Sequence, residues 1–340
     1  MGARIDIDIV NHKVVLAERP RGTPVLSDFR IEVEAVVEPA RGEVVVGVDV
    51  LSIDAFIRTV LDERAYHGGV AIGGTVKALG VGRVLRSNDP SLREGDAVFG
   101  GLGAQTISTC PAASLRRIDD DRFPATTYLG VLGLATGVTA YIGMTHVAAV
   151  RAGETVVVSG AAGAVGSLAG QIARIAGARV IGIAGGPQKG AFLVDTLGLD
   201  AAIDYKSQNV EERLAELAPN GIDVFYDNVG GDILDAALMN IAERARVVIC
   251  GGISQYDDMA NVRGPRNYLK LAERHARMEG FAVTHFPDRF AEAESALAGW
   301  LESGQLVMRE QFERGIERFP DAVLTLLGGG HTGKLMLDLR

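Results

Sequence analysis

Between residues 126 and 305, short continuous apolar runs alternate with stretches of helical spacing. Six of the runs read as strands, at 155–159, 179–184, 201–204, 223–227, 246–250 and 280–284. After the first run, Leu168, Ile172, Ile175 and Ala176 recur at the interval that lines one face of a helix. Apolar strands alternating with amphipathic helices predict a parallel sheet covered on both faces. Right-handed crossovers make that sheet doubly wound, with a ligand at the carboxyl ends of its strands. Residues 1–125 differ. Runs such as 43–50 and 80–85 are short, β-rich and separated by Gly, Pro and Asp, which predicts a small, mostly-β domain. The last 35 or so residues return to a helix and a final strand over 334–339.

Composition narrows the class. The chain has 340 residues, enough for two domains at roughly 100–200 residues each. Its 43 acidic and 34 basic side chains leave a formal charge of −9, which makes nucleic acid or an anionic membrane a poor partner. The longest apolar region, 128–150, is interrupted by Thr136, Gly137, Thr139, Thr145 and His146, so no bilayer span is expected. The first residues, MGARIDIDIVNHK, lack the apolar core of a signal peptide, and a cytoplasmic protein is expected. Two cysteines, Cys110 and Cys250, are too few for a disulfide framework or a structural zinc site.

Glycine is in excess, at 43 of 340 residues, and it is concentrated at turns. The first strand of the middle region runs into Gly160-Ala161-Ala162-Gly163-Ala164-Val165-Gly166-Ser167 and then a helix. This approaches the dinucleotide fingerprint, with Ala161 where its first glycine stands. A glycine turn that only packs tightly is the plain alternative. The strand–turn–helix context at the head of a βα series favours a phosphate on the helix N-terminus. An NAD-selective site places a carboxylate at the end of the second strand, to bind the ribose 2′-hydroxyl. Here that strand ends Ile183-Ala184-Gly185-Gly186-Pro187-Gln188-Lys189, with no acid. Lys189 can neutralise a 2′-phosphate, so NADP(H) is the expected cofactor; a solvated lysine at a helix start is the alternative.

Seven blocks, in family order, make the reading more specific: LSIDAFIR (51–58), TAYIGM (139–144), VSGAAGAVGS (158–167), YDNVGG (226–231), CGGISQYD (250–257), RMEGF (277–281) and the Gly333-Lys334 pair. With them the chain resembles the zinc-independent medium-chain dehydrogenase/reductases, in particular the group of prostaglandin reductases, leukotriene hydroxydehydrogenases and bacterial curcumin reductases. The resemblance implies an α/β chain. Residues 1–125 begin a mostly-β, GroES-like catalytic domain, 126–305 form an NADP-binding Rossmann domain, and 306–340 return to the catalytic domain. It places Gly163, Ala164, Val165 and Gly166 on the pyrophosphate, and Lys189 and Tyr205 on the adenosine 2′-phosphate. Asn228 falls near the ribose or nicotinamide, and Cys250, Ile253, Ser254, Tyr256, Phe281, Ala282 and Val283 wall the nicotinamide. Each has a plain alternative: a surface aromatic for Tyr205, a turn former for Asn228, a small buried apolar residue for Cys250.

The chain also departs from the family pattern. Phe56 stands where relatives carry a tyrosine, and Ala135 to Val138 lack their Met-Pro-Gly. His331-Thr332 precedes the Gly-Lys pair where relatives often have Asn, so any cofactor contact there falls to His331. A catalytic zinc needs cysteine and histidine ligands where this chain has Asp54, Gly73 and Gly74, and His67 is alone in that region. Without a metal, delivery of hydride to the β-carbon of an α,β-unsaturated carbonyl is easier than direct reduction of the carbonyl, because charge develops on a conjugated oxygen that one or two donors stabilise. Tyr256 is the expected donor, and water or Tyr66 returns the proton to the α-carbon. The sequence thus reads as an NADPH-dependent enone or alkenal reductase acting on a small molecule, and as a homodimer. A quinone reductase and a non-catalytic NADPH-binding protein are the alternatives.

Overall fold

The computed structural model describes residues 10–63 and 68–340. They form two compact units. One comprises the chain up to Leu129 with Phe312–Gly328 and Leu335–Arg340; the other comprises Gly130–Gln311 and Gly329–Lys334. Among the described residues no helix is long and apolar enough to cross a membrane.

In the first unit β1 (Val10–Leu16) pairs antiparallel with β2 (Phe29–Ala35). A second antiparallel sheet holds β3 (Glu43–Ser52), β4 (Gly80–Ser87), β5 (Ala97–Gly100), β6 (Ile107–Pro111) and β7 (Leu115–Arg117). Valine-rich β3 is its spine. It pairs with both β4 and β6, and Val44, Val46 and Leu51 are fully buried. β-branched side chains suit such a pleated, enclosed position.

The second unit carries the parallel sheet: β8 (Thr155–Ser159), β9 (Arg179–Ala184), β10 (Ala201–Asp204), β11 (Ile222–Asp227), β12 (Ile241–Ile249) and β13 (Arg277–Gly280). Its order is β10-β9-β8-β11-β12-β13. From β8, strands β9 and β10 spread to one side and β11, β12 and β13 to the other. Neighbouring β8 and β11 therefore mark the point where the winding reverses and a crevice opens. Val156, Val157 and Val158 are fully buried, as are Ile181, Ile183, Val224, Phe225 and Tyr226, which is why these runs read as continuous apolar segments. Helix α1 (Ala164–Ile175) buries Leu168 and Ile172, whereas Ala176 lies exposed just beyond it. Leu214 of α2 (Val210–Leu217) and Leu234, Ala237 and Leu238 of α3 (Gly231–Met239) pack into one core with Val157, Ile181 and Phe225. Two further strands, β14 (Glu310–Arg314) and β15 (Lys334–Asp338), extend the larger antiparallel sheet beside β3.

The sixth parallel strand lies at Arg277–Gly280 rather than at 280–284. Its partner β12 ends at Ile249, opposite Gly280; the Phe281 N–H makes one last long bond to the Ile249 carbonyl at 3.4 Å, and Val283–His285 coil into a 3₁₀ turn. Strand β12 also starts earlier than its apolar run, at Ile241.

A buried hydrogen-bond network joins the two central strand ends. The Ser159 hydroxyl donates to Asp227 Oδ1 at 2.7 Å, and the Asn228 N–H donates to Ser159 Oγ at 2.8 Å. Val229 N–H and Gly230 N–H both donate to Asp227 Oδ1 at 3.0 Å. Burial pushes the Asp227 carboxyl above its ordinary value, while the Gly230 N–H, the Ser159 hydroxyl and the Val229 N–H pull the other way. Removal of this acceptor orphans several donors at once. Asp227→Ala is expected to lower unfolding free energy by about 3 kcal/mol in urea titration; a loss below about 0.5 kcal/mol contradicts the assignment.

Candidate dinucleotide-binding site

The turn from β8 to α1 is built by close backbone approach. A Cβ on Gly166 would lie 2.3 Å from the Gly160 carbonyl oxygen, so only glycine fits there. Ala161 is accommodated in the first glycine position because its methyl sits against Gly182 of β9, where an added Cβ would come within 3.0 Å of it. Gly163 is the N-cap residue of α1, and no side chain caps the helix. Its first N–H groups and the positive end of its dipole face the turn.

At the end of β9, Gly186 N–H donates to Asp204 Oδ1 at 2.7 Å. Lys206 N–H donates to the same oxygen at 3.0 Å, and Ser207 Oγ donates to Oδ2 at 2.8 Å. These bonds, led by the one from Gly186, hold the Asp204 carboxyl below its ordinary value. Its acceptors are therefore spent on the turn. Lys189 Nζ donates to the Gly329 carbonyl at 2.8 Å. Burial, and then the charge of Lys206, lower the Lys189 ammonium. The ring of Tyr205, 45% exposed, and the stem of Lys206 both approach Gly185, so Lys189, Tyr205 and Lys206 gather around one turn. The sequence reading named the first two. Lys206 was legible only as the neighbour of Tyr205.

The segment Gly329–Lys334 is pinned alongside. Gly333 N–H donates to the Ala162 carbonyl at 2.8 Å, Lys334 N–H to Arg309 at 2.8 Å, and Thr332 N–H to Gln311 Oε1 at 3.3 Å. This holds His331 so that its Nε2 lies 4.0 Å from the position a Cβ on Gly163 would take. Among the described residues its buried Nδ1 has no hydrogen-bond partner. Burial first, then the charges of Lys189 and Lys334, hold its imidazole down at about 4. Lys334 is fully buried, and nothing in the sequence reading had given it a role.

On the other side of the crevice, Asn228 Nδ2 donates to the Ser159 carbonyl at 2.7 Å. Ile253 N–H donates to the Asn228 carbonyl at 3.2 Å, and Ser254 Oγ to the Val229 carbonyl at 2.6 Å. Tyr256 folds back so that its Oη accepts the Gly252 N–H at 3.2 Å. Burial raises its phenol, so at neutral pH it keeps a proton to donate. Burial likewise pushes the Cys250 thiol up to about 12, so it is no thiolate. Phe281, Ala282 and Val283 follow β13, with the Phe281 ring 6.3 Å from Phe286 and close against Gly143. Tyr66 and His67 lie outside the described residues.

Gly163, Ala164, Val165, Gly166, Lys189, Tyr205, Asn228, Cys250, Ile253, Ser254, Tyr256 and Phe281 to Val283 thus follow the carboxyl ends of six parallel strands, with His331 against the glycine turn. An uncapped helix N-terminus, the lysines Lys189 and Lys206 and an orphaned ring nitrogen fit the phosphates of a dinucleotide. Among the described residues no three His, Cys, Asp or Glu side chains are grouped to hold a metal ion.

The depressed histidine has a consequence for stability. The unfolded chain binds a proton at His331 near 6.5, whereas the cofactor-free fold holds it down to about 4. Stability from this group is complete above pH 6.5 and is lost as pH falls toward 4. Urea unfolding at pH 7.5 and pH 5 is expected to show a larger loss for the natural chain than for His331→Asn; equal losses contradict it.

Two family models match the chain: zinc-binding dehydrogenase over residues 164–299, and the N-terminal domain of oxidoreductase over residues 12–118. The chain is 42% identical over 331 residues to a Bacillus subtilis protein provisionally named an NADP-dependent oxidoreductase, covering 96% of this chain and 97% of that one. It is 35% identical to the NADPH-dependent curcumin reductase of Escherichia coli, over 96% of both chains. The crystal structure of CurA from Vibrio vulnificus in complex with NADPH superposes with a TM-score of 0.92 at 33% identity, over 97% of this chain and 99% of that one. Likeness at this level over whole chains, with Asp54, Gly73 and Gly74 at the zinc-ligand positions, places this protein in the zinc-independent group of the medium-chain dehydrogenase/reductases.

Proposed function

We propose that the chain is an NADPH-dependent reductase of the carbon–carbon double bond in α,β-unsaturated ketones and aldehydes. The observation that carries the coenzyme choice is the end of β9. There Lys189, Lys206 and Tyr205 converge, and the carboxylate of Asp204 is turned into backbone N–H groups. The likeness to the curcumin reductase supports the substrate class.

When bound, NADPH supplies a hydride for the β-carbon of the conjugated system. Gly163 to Gly166 and the α1 N-terminus hold the pyrophosphate; Lys189, Tyr205 and Lys206 hold the 2′-phosphate. Asn228, Cys250, Ile253 and Ser254, with Phe281, Ala282 and Val283, wall the nicotinamide and fix which face is presented. The Tyr256 hydroxyl donates to the oxygen on which negative charge develops, and the bond from Gly252 N–H orients it. Water returns the proton to the α-carbon, with Tyr66 as the side-chain alternative. The chain acts as a homodimer: all four residues of β13 are exposed, and its outer edge pairs with no other described strand, the kind of edge a second copy covers.

Tyr256→Phe is expected to lower turnover about a hundredfold with NADPH affinity changed less than about twofold. Equal loss of both sinks the donor role. Across a panel of an enone, an alkenal and a quinone, NADPH oxidation is expected with the first two, giving saturated carbonyl products. An allylic alcohol, or turnover of the quinone alone, overturns the reading.

A further inference from the structure

Resting on the dinucleotide reading above, we infer that His331 couples coenzyme binding to proton uptake: its imidazole is neutral in the free protein and takes a proton from solvent when the phosphates arrive at the glycine turn. Three structural observations support this. First, the pinned 329–334 segment fixes the ring against Gly163, with Nε2 toward the turn where α1 begins. Second, Nδ1 is buried and unpartnered among the described residues, so no protein acceptor is available for a second N–H. Third, the charges that act on the ring are both positive: Lys189 after β9 and Lys334 at the head of β15. The next charge outward, Lys206, acts on Lys189. Among the described residues no carboxylate is a leading influence on the ring, and Asp204 is held by Gly186, Lys206 and Ser207 at its own turn.

This arrangement keeps the imidazole uncharged until an anion enters. A diphosphate beside it reverses the local field and favours the imidazolium. Binding then proceeds with a proton gained from solvent at His331 and no other bond of the protein changed. Oxidised and reduced coenzyme carry the same phosphates, so the device acts on capture of either form.

The test is calorimetric titration of the whole chain with NADPH at pH 6.5 and 7.5, in two phosphate-free buffers of different ionisation enthalpy, beside His331→Asn. The coenzyme's own 2′-phosphate titrates near pH 6 and releases a proton against lysines, so the difference between the two proteins is the readout. The natural chain is expected to take up about half a proton more per NADPH at pH 6.5. Its affinity is expected to tighten about twofold more over that pH unit than the variant's. Binding by both proteins with equal proton counts overturns the inference. Failure of the natural chain to bind NADPH overturns the coenzyme reading, and this one with it. Should the Asn variant not fold, the C2-proton resonance of His331 in the natural chain decides: its midpoint is expected to rise on NADPH addition, and an unmoved midpoint overturns the inference.

Discussion

Positive charge gathered at the carboxyl ends of the parallel strands is the constraint on which the rest of the second unit depends. Lys189 is lowered by burial and by Lys206, His331 by burial and by two lysines, and α1 begins without a side-chain cap. Each is unfavourable in a bare protein, and together they define a place where an anion is stabilised. The carboxylate able to offset them, Asp204, is consumed by the turn that shapes the site. The fold thus tolerates local repulsion in a region that gains when phosphates bind.

That arrangement needs a rigid frame, and the frame is hydrogen-bonded. Ser159 and Asp227 tie β8 to β11 where the winding reverses, and the same carboxylate receives Val229 and Gly230. From there the backbone of Asn228 and Val229 receives Ile253 and Ser254, which sets the path of the loop that carries Tyr256. One buried acid therefore positions both the phosphate end and the reacting end of the crevice.

Much of this was legible in the sequence, for physical reasons. Continuous valine and isoleucine runs are enclosed on both faces, so five of the six parallel strands could be found close to their observed places. The sixth was displaced because an edge strand is limited by where its neighbour stops, which no run of apolar residues reveals. Asp227 and Ser159 were missed as determinants because a polar network between distant strands has no period. Lys334 was quoted as part of a motif without a role, since burial of a lysine is a tertiary fact. Ala161 looked like a defect in the glycine pattern until Gly182, some twenty residues on, supplied the missing space. The Gly329–Lys334 segment groups with the nucleotide unit while Leu335–Arg340 groups with the other. A chain that changes unit within one strand leaves no compositional mark.

The central claim, that this cluster of positive groups exists for a phosphorylated dinucleotide, is tested most directly by fluorescence titration of the whole chain with NADPH and with NADH at one pH and one ionic strength. The two ligands differ only in the 2′-phosphate, and charge-assisted bonds to it are worth roughly 1.5–3 kcal/mol each. Binding of NADPH at least about a hundredfold tighter than NADH is the predicted result. Equal affinities, or a preference for NADH, contradict the account.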